Sequence, residues 1–352
     1  MVMKYGLQLP QGLWMLSGSK DPVEAYERIT HVAQTAEECG YDTLWLADHF
    51  MPTVHQPSRQ EDDRLFECWT TLSAVARDTQ RVRLAQAVTC NGYRNPALLA
   101  KMASTVDVLS HGRLTLGIGA GDFEQEFRAY GYACPKPPER LRQLREAIQI
   151  ILAMWTQDEA TFEGKYYQIH GAINQPKGVQ QPHIPLLIAG EGEKVTLKLV
   201  AQYADACHLI SPDPAVLEHK FAVLKAHCET LGRDYEHIRR TLTLACAIGD
   251  TAEQALAKLP EAQKAHLAVT RTWLRSSDSA QMAADRSLVQ GAESLVAGDS
   301  SAAAAMGLIG SPKTIRERLA AYEAAGVQEL RLHFLDGVQP ESVRRFASEF
   351  IA

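Results

Sequence analysis

The sequence predicts an α/β fold and, within that class, a closed (β/α)8 TIM barrel with insertions. Short apolar runs suited to buried parallel strands occur eight times, each followed by a stretch of helical periodicity. Such alternation implies parallel pairing through right-handed crossovers. A chain of 352 residues is long enough for one such barrel. A doubly wound open sheet is the alternative.

The elements follow in order. Residues 5–9 form the first strand pattern. Asp21 then reads as an N-cap, with Pro22 at the first helical position, Glu24 at the third, and Gly40 as the stop. The apolar run 43–47 is the second strand and ends in Asp48, His49 and Phe50. A helix over 65–78 leads to the third strand, 82–88, which is followed by Thr89-Cys90-Asn91-Gly92-Tyr93-Arg94-Asn95-Pro96. Pro96 opens a helix whose apolar face is Leu98, Leu99, Met102, Val106 and Leu109. The stretch 113–131 is a strand, then a turn through Gly117, Gly119 and Gly121, then a helix with Asp122, Glu124 and Glu126 in its first turn. A Pro-rich joint at 134–138, a helix ending near Trp155 and a small hairpin over 161–169 come next. The fifth strand, 185–189, breaks at Gly190-Glu191-Gly192 and passes into a helix over 193–203. Strands six and seven cover 204–210 and 241–248, with a helix over 214–231 between them. The polar, Ala-rich stretch 251–306 is long for one barrel helix and reads as a helical insertion or lid at the barrel mouth. Ser311-Pro312 starts a helix that stops at Gly326; the eighth strand is 330–334, and a terminal helix completes one domain over 1–352.

Composition narrows the function. A net charge of −6 with no Lys/Arg run argues against nucleic acid, and no apolar run approaches the length of a membrane span. The N-terminal stretch lacks signal-peptide architecture, and seven Cys without a C-x-x-C pair suit reduced thiols, so a cytoplasmic protein is expected. No Cys/His cluster has zinc-ligand spacing.

In a barrel, chemistry sits at the C-terminal ends of the strands. There the sequence places Asp48 and His49, Thr89 and Asn91, the turn from Gly119 to Asp122, and the loop from Gly190 to Lys194. The last of these could present backbone amides to a phosphate, with Lys194 adding charge. His49 is either a reactive imidazole or a strand-end histidine satisfied by Asp48 or a carbonyl. Asp122 is either a catalytic acid or a helix N-cap. Trp45, Trp69 and Trp155 read as core. Arg271, Arg275 and Arg286 would bind an anionic substrate or cofactor tail, or lie on a solvated helix face.

The segments TLWLADHF, AVTCNGYRNPALLAKMASTVDVLSHGRLTLGIGAGDFEQEFRAYGY, IPLLIAGEGEKVTLKLVAQYADACHLI and GSPKTIRERLAAYEAAGVQELRLHF resemble the bacterial-luciferase-like flavin and deazaflavin oxidoreductases. The first three resemble most the branch that uses coenzyme F420, an 8-hydroxy-5-deazaflavin, rather than reduced FMN with oxygen. The resemblance implies hydride transfer between the deazaflavin C5 and a small organic substrate, with catalytic roles for His49 and Asp122. Asp48 and Thr89 would hydrogen-bond the ring system. Ala120 and Gly121 would bring backbone against it, with Gln125 one turn on. Gly190, Gly192, Glu193 and Thr196 would surround the cofactor phosphate. Val88 would adjoin a non-proline cis peptide near 86–88. At position 122 the sugar-phosphate dehydrogenases of the branch carry Glu, so Asp122 is a shorter acid. The alternatives are a reduced-FMN-dependent monooxygenase of the same fold and a non-catalytic cofactor-binding protein. A homodimer is expected, with no nucleic-acid or membrane partner and no metal.

Overall fold

The computed structural model describes residues 2–12, 21–51, 65–257 and 307–351. Strand β1 (Lys4–Gln8) is followed by α1 (Pro22–Glu38), β2 (Thr43–Leu46), α2 (Cys68–Asp78), β3 (Arg83–Gln86), the short β4 (Thr89–Cys90) and α3 (Pro96–Leu109). Next come β5 (Leu114–Gly119), α4 (Glu124–Ala129), α5 (Pro137–Thr156), the antiparallel pair β6 (Ala160–Glu163) and β7 (Gln168–Ala172), and then β8 (Leu186–Ala189). The chain continues with α6 (Thr196–Tyr203), β9 (Ala206–Leu209), α7 (Pro214–Leu231), β10 (Arg239–Ile248) and α8 (Ala252–Ala257). It ends with β11 (Gly307–Gly310), α9 (Pro312–Ala324), β12 (Glu329–Phe334) and α10 (Pro340–Phe350).

Pairing runs β1-β2-β3-β5-β8-β9-β10-β12, all parallel, and β12 returns to β1 with Tyr5 opposite Leu330, so eight strands close the barrel. The eight predicted strands are these eight. Strand β11, at the end of the stretch read as an insertion, was not expected; it extends the pairing of β10, with Ala245 opposite Gly307.

Helix starts follow the local chemistry. Asp21 accepts from the Val23 amide at 2.8 Å, Asn95 from Ala97 at 2.9 Å, Asp213 from Ala215 at 2.9 Å, and Ser311 from Thr314 at 3.2 Å, each just before a proline. Helix α6 starts a turn later than the sequence suggests, at Thr196.

Alternation along the strands sorts the core. Tyr5 and Phe334 pack on Phe346 of α10, between sheet and helices. The other face of the strands fills the barrel, where Trp45, Ala85, Leu187 and Ala206 cluster. Acids at the seams hold one unit to the next. Glu37 accepts from the amides of Gln80, Arg81 and Val82, Asp107 from Val179 and Gln180, and Asp205 from Leu186. Arg113 gives its guanidinium to the carbonyls of Ala76, Thr79, Val82 and Ser110, which satisfies the ends of α2 and α3.

Candidate active site

The end of β2 is fixed from below. The side chain of Gln11 brackets Ala47, donating to its carbonyl at 2.9 Å and accepting from its amide at 2.5 Å. The next residue, Asp48, is buried. Arg94 donates to its two oxygens at 2.6 and 2.9 Å, and the Cys90 amide donates at 3.1 Å. Burial pushes the Asp48 carboxyl up and Arg94 opposes it; the carboxylate form is the one that satisfies all three donors. Arg94 also reaches Glu67, the N-cap of α2, at 2.6 Å. The resemblance implied a hydrogen bond from Asp48 to the cofactor ring. In the structure the Asp48 oxygens join the ends of β2 and β4 to the start of α2.

His49 is brought against Glu126. Its Nδ1 lies 2.9 Å from a carboxylate oxygen of Glu126, which also accepts from the Tyr93 hydroxyl. The other carboxylate oxygen accepts from the amides of Phe50 at 2.5 Å and Met51 at 3.1 Å. Because a carboxylate only accepts, Nδ1 carries the hydrogen, and Nε2 has no partner among the described residues. The His49 side chain is 30% exposed and that of Glu126 is fully buried, so the imidazole is open on one side only. Burial alone would push His49 down; the Glu126 hydrogen bond and charge outweigh it and hold the imidazole above its ordinary value. Burial acts to raise Glu126, yet His49, Tyr93 and the Phe50 amide hold it below the usual carboxylate range. Phe50, Tyr93 and Phe127 pack around the pair.

The carboxylate in hydrogen-bond contact with His49 is Glu126, which the sequence reading did not single out. Asp122 is exposed, two residues before α4, and acts on His49 only through its charge. It is not the N-cap either: that position is Phe123. Gln125 is exposed on α4.

The floor of the mouth is built from small residues. The peptide bond Ala87-Val88 is cis, at the place the resemblance implied. Gly119 faces Val88: a Cβ there would lie 2.9 Å from Val88 Cγ2. Gly121 has φ 78°, and a Cβ would meet Cys90 Sγ at 2.4 Å, so glycine is required by packing as well as by the turn. Ala47, Ala87, Val88, Ala120 and Ala189 are half-buried, so solvent reaches them from the mouth. Thr89 is buried, and its hydroxyl oxygen accepts from Trp69 Nε1 at 3.2 Å.

The loop after β8 divides its work. Glu191 turns inward and accepts from the amides of Ile210 and Ser211, each at 2.8 Å. Glu193, assigned to the phosphate shell, has its carboxylate on Lys220 at 2.6 Å and His219 at 3.1 Å, which directs it to α7. The amides from Gly192 to Thr196 donate to nothing among the described residues, apart from any bond internal to α6. Gly190, with φ 124°, and Gly192 leave room beside Thr196. Among the described residues no group of His, Cys, Asp and Glu could hold a metal ion, and no helix is long and apolar enough to cross a membrane. Arg271, Arg275 and Arg286, with most of the expected insertion, lie outside the described residues.

A family model described as luciferase-like monooxygenase matches residues 3–329, and the chain belongs to that family. Particular relatives sharpen this. The F420-dependent glucose-6-phosphate dehydrogenase of Kineococcus radiotolerans is 33% identical over 232 residues, 65% of this chain and 66% of that one. The matched stretch is thus about two thirds of the relative's length. An F420-dependent secondary alcohol dehydrogenase, solved with an F420-acetone adduct, superposes with a TM-score of 0.76 at 18% identity, covering 100% of this chain and 97% of that one. EDTA monooxygenase from Chelativorans sp. superposes with a TM-score of 0.78 at 14% identity, covering 100% and 93%. At these identities the structural likeness establishes the (β/α)8 barrel.

Proposed function

We propose that this protein is a coenzyme F420-dependent oxidoreductase that moves a hydride between the deazaflavin and a small organic substrate. The observation that carries the reading is the His49–Glu126 pair, with Nε2 open at the C-terminal end of β2. The F420-dependent relatives support the cofactor. The site fits a flat ring system and a phosphate: a floor of Ala47, Ala87, Gly119 and Ala189 leaves space, and the amides from Gly192 to Thr196 are uncommitted at a helix start.

When bound, coenzyme F420 supplies a two-electron hydride donor or acceptor at its C5. The chain supplies the proton. In the reducing direction, imidazolium Nε2–H of His49 gives the proton that balances the hydride; in the oxidising direction neutral Nε2 takes it. Glu126 positions the ring and stabilises the imidazolium. Asp48 and Arg94 position the loop that carries His49. Thr89, Val88, Ala120 and Gly121 bound the ring site, with Gln125 beside it, and Gly190, Gly192 and Thr196 bound the phosphate site. Asp122 tunes His49 by charge. We further propose a cytoplasmic homodimer, to be checked by fractionation and by light scattering.

The test is a fluorescence titration of the chain with coenzyme F420 and, separately, with FMN. The expected result is a Kd at least ~10-fold lower for the deazaflavin, or ~1.4 kcal/mol. Equal or tighter FMN binding, with oxygen consumed in the presence of reduced FMN, would move the protein to the monooxygenase reading. That reading has support in the EDTA monooxygenase likeness, which is one of fold.

A further inference from the structure

The inside of the barrel holds a cation that the chemistry above does not use. Glu329, Arg331 and His333 alternate along β12 on the face opposite Leu330, Leu332 and Phe334. Arg331 is 8% exposed, opposite Thr243 of β10 in the parallel register. Burial pushes it down to about 10, so it remains a cation at neutral pH.

Its hydrogen bonding can be assigned atom by atom. Thr241 Oγ1 donates to the Cys207 carbonyl at 2.9 Å, so it accepts from His208 Nδ1–H at 2.7 Å. His208 is neutral, because burial and the nearby Arg331 charge push it down to about 3. Its Nε2 is therefore a bare acceptor, and the Thr243 hydroxyl, 2.8 Å away, donates to it. Thr243 Oγ1 can then accept from an Arg331 N–H at 3.2 Å. This chain satisfies His208, Thr241 and Thr243. It gives Arg331 one acceptor for five donors and no negative charge, and the Arg331 Nε is buried without a partner.

The other arginines of the interior are spent differently. Half-buried Arg239 faces Glu329 at 3.2 Å, and buried Arg240 faces Glu236 at 3.2 Å. Among the described residues Arg140 also lacks a carboxylate and a partner for its Nε, but it donates to the Pro135 carbonyl at 3.0 Å and lies over the Phe127 ring, outside the barrel strands. Arg113 has no carboxylate, yet its donors are spent on carbonyls and the Thr79 hydroxyl. Among the described residues no carboxylate lies within ion-pair distance of Arg331. A buried charge without a partner is costly, and removing a partner from a buried pair destabilises strongly. Gln8, Thr243, Ala245 and His333 around it are half-buried, so its wall opens to the mouth, across from the small residues Ala47, Ala87 and Ala189.

We propose that Arg331 is the anchor of an anion subsite in the barrel floor, and that it recognises the carboxylate of a small substrate. This rests on the oxidoreductase reading, in that the ligand is the substrate of that same mouth. A planar carboxylate matches the guanidinium fork in two parallel hydrogen bonds. One buried cation neutralises one negative charge; a phosphate dianion would leave charge uncompensated in a low-dielectric interior. Small monocarboxylates are therefore the favoured class.

The test uses the cofactor-free chain at fixed ionic strength, titrated calorimetrically with propionate and with inorganic phosphate. Wild type binds propionate more tightly than phosphate. R331M weakens propionate binding at least ~10-fold, and R331K, which keeps the charge but not the fork, falls between. Without ligand, R331M melts at a higher temperature than wild type, because the unpaired charge is gone. The proposal is overturned if wild type does not bind propionate, if phosphate binds more tightly, or if R331M binds like wild type. An R331M chain that melts lower or does not fold makes the arginine part of the core and also overturns it. Since no cofactor is present, the outcome is separate from the deazaflavin titration: carboxylate binding without deazaflavin binding keeps this subsite and removes the proposed function.

Discussion

Glu126→Gln separates the role of the Glu126 charge from that of its shape. Glutamine keeps one acceptor oxygen and replaces the other with an amide group. The oxygen can still take the amides of Phe50 and Met51, which leaves the NH2 facing His49 Nδ1 and the Tyr93 hydroxyl. An NH2 cannot accept from Nδ1–H, so His49 turns to the tautomer with hydrogen on Nε2 and loses its counter-charge. A hydrogen bond to a charged group is worth ~1.5–3 kcal/mol. His49 is partly exposed, so the lower part of that range applies, and Glu126→Gln should lose about 1–2 kcal/mol at pH 6. The pH dependence has a definite sign. His49 has a raised folded value, so the stability it gains from Glu126 is complete below the unfolded value near ~6.5 and is lost as pH rises through the folded value. The stability gap between wild type and mutant must therefore narrow from pH 6 to pH 9. Glu126 is lowered, so its own contribution is present above the unfolded carboxyl value and disappears in acid as pH falls through the folded one. Urea unfolding at several pH values measures the gap, and an NMR titration of the His49 ring measures its pKa, which should fall to or below ~6.5 in the mutant. If the His49 titration is unmoved and the gap does not depend on pH, Glu126 does not control the imidazole, and the assignment of Nε2 as the atom that exchanges the proton fails with it.

Three further outcomes follow from the same geometry. His49→Ala should lower single-turnover rate by ~10²–10⁴ while cofactor binding changes by ~1 kcal/mol or less; parallel losses in rate, binding and melting temperature would make the histidine a structural support. Asp48→Asn leaves Arg94 buried beside a neutral amide and should cost about 3 kcal/mol in urea unfolding, whereas a loss confined to cofactor affinity would return Asp48 to the ring site. The proton-consuming direction should slow as pH rises through the raised His49 value, and Glu126→Gln should shift that limb to lower pH; a limb at the same pH in both rules out His49 as the donor.

Strands were legible because burial on both faces leaves continuous apolar runs, and helix starts because Asp21, Asn95, Asp213 and Ser311 act within three residues of themselves. The site was legible as positions at strand ends and not as contacts. Nothing local says that Glu126, rather than Asp122, turns toward His49, since the pair is 77 residues apart in sequence. Glu191 and Glu193 sit in a glycine loop that looks built for phosphate, yet their carboxylates serve neighbouring amides and a lysine. Strand β11 had no signal beyond four residues, two of them glycine, after an alanine run. The alternation in LRLHF did carry information. It sets Arg331 and His333 on the face away from the helices, which in a barrel is the inside.

The seam acids bear on how this chain can be altered. A net charge of −6 invites redesign of the surface by exchanging acids for lysines. Glu37, Asp107 and Asp205 would look like candidates, and each would be a mistake. Their negative charge is already committed to main-chain amides of a neighbouring unit, where a cation has no lone pair to offer. A charge-reversal library of this barrel should tolerate lysine at Glu124, which lies on an exposed helix turn, and reject it at the three seams.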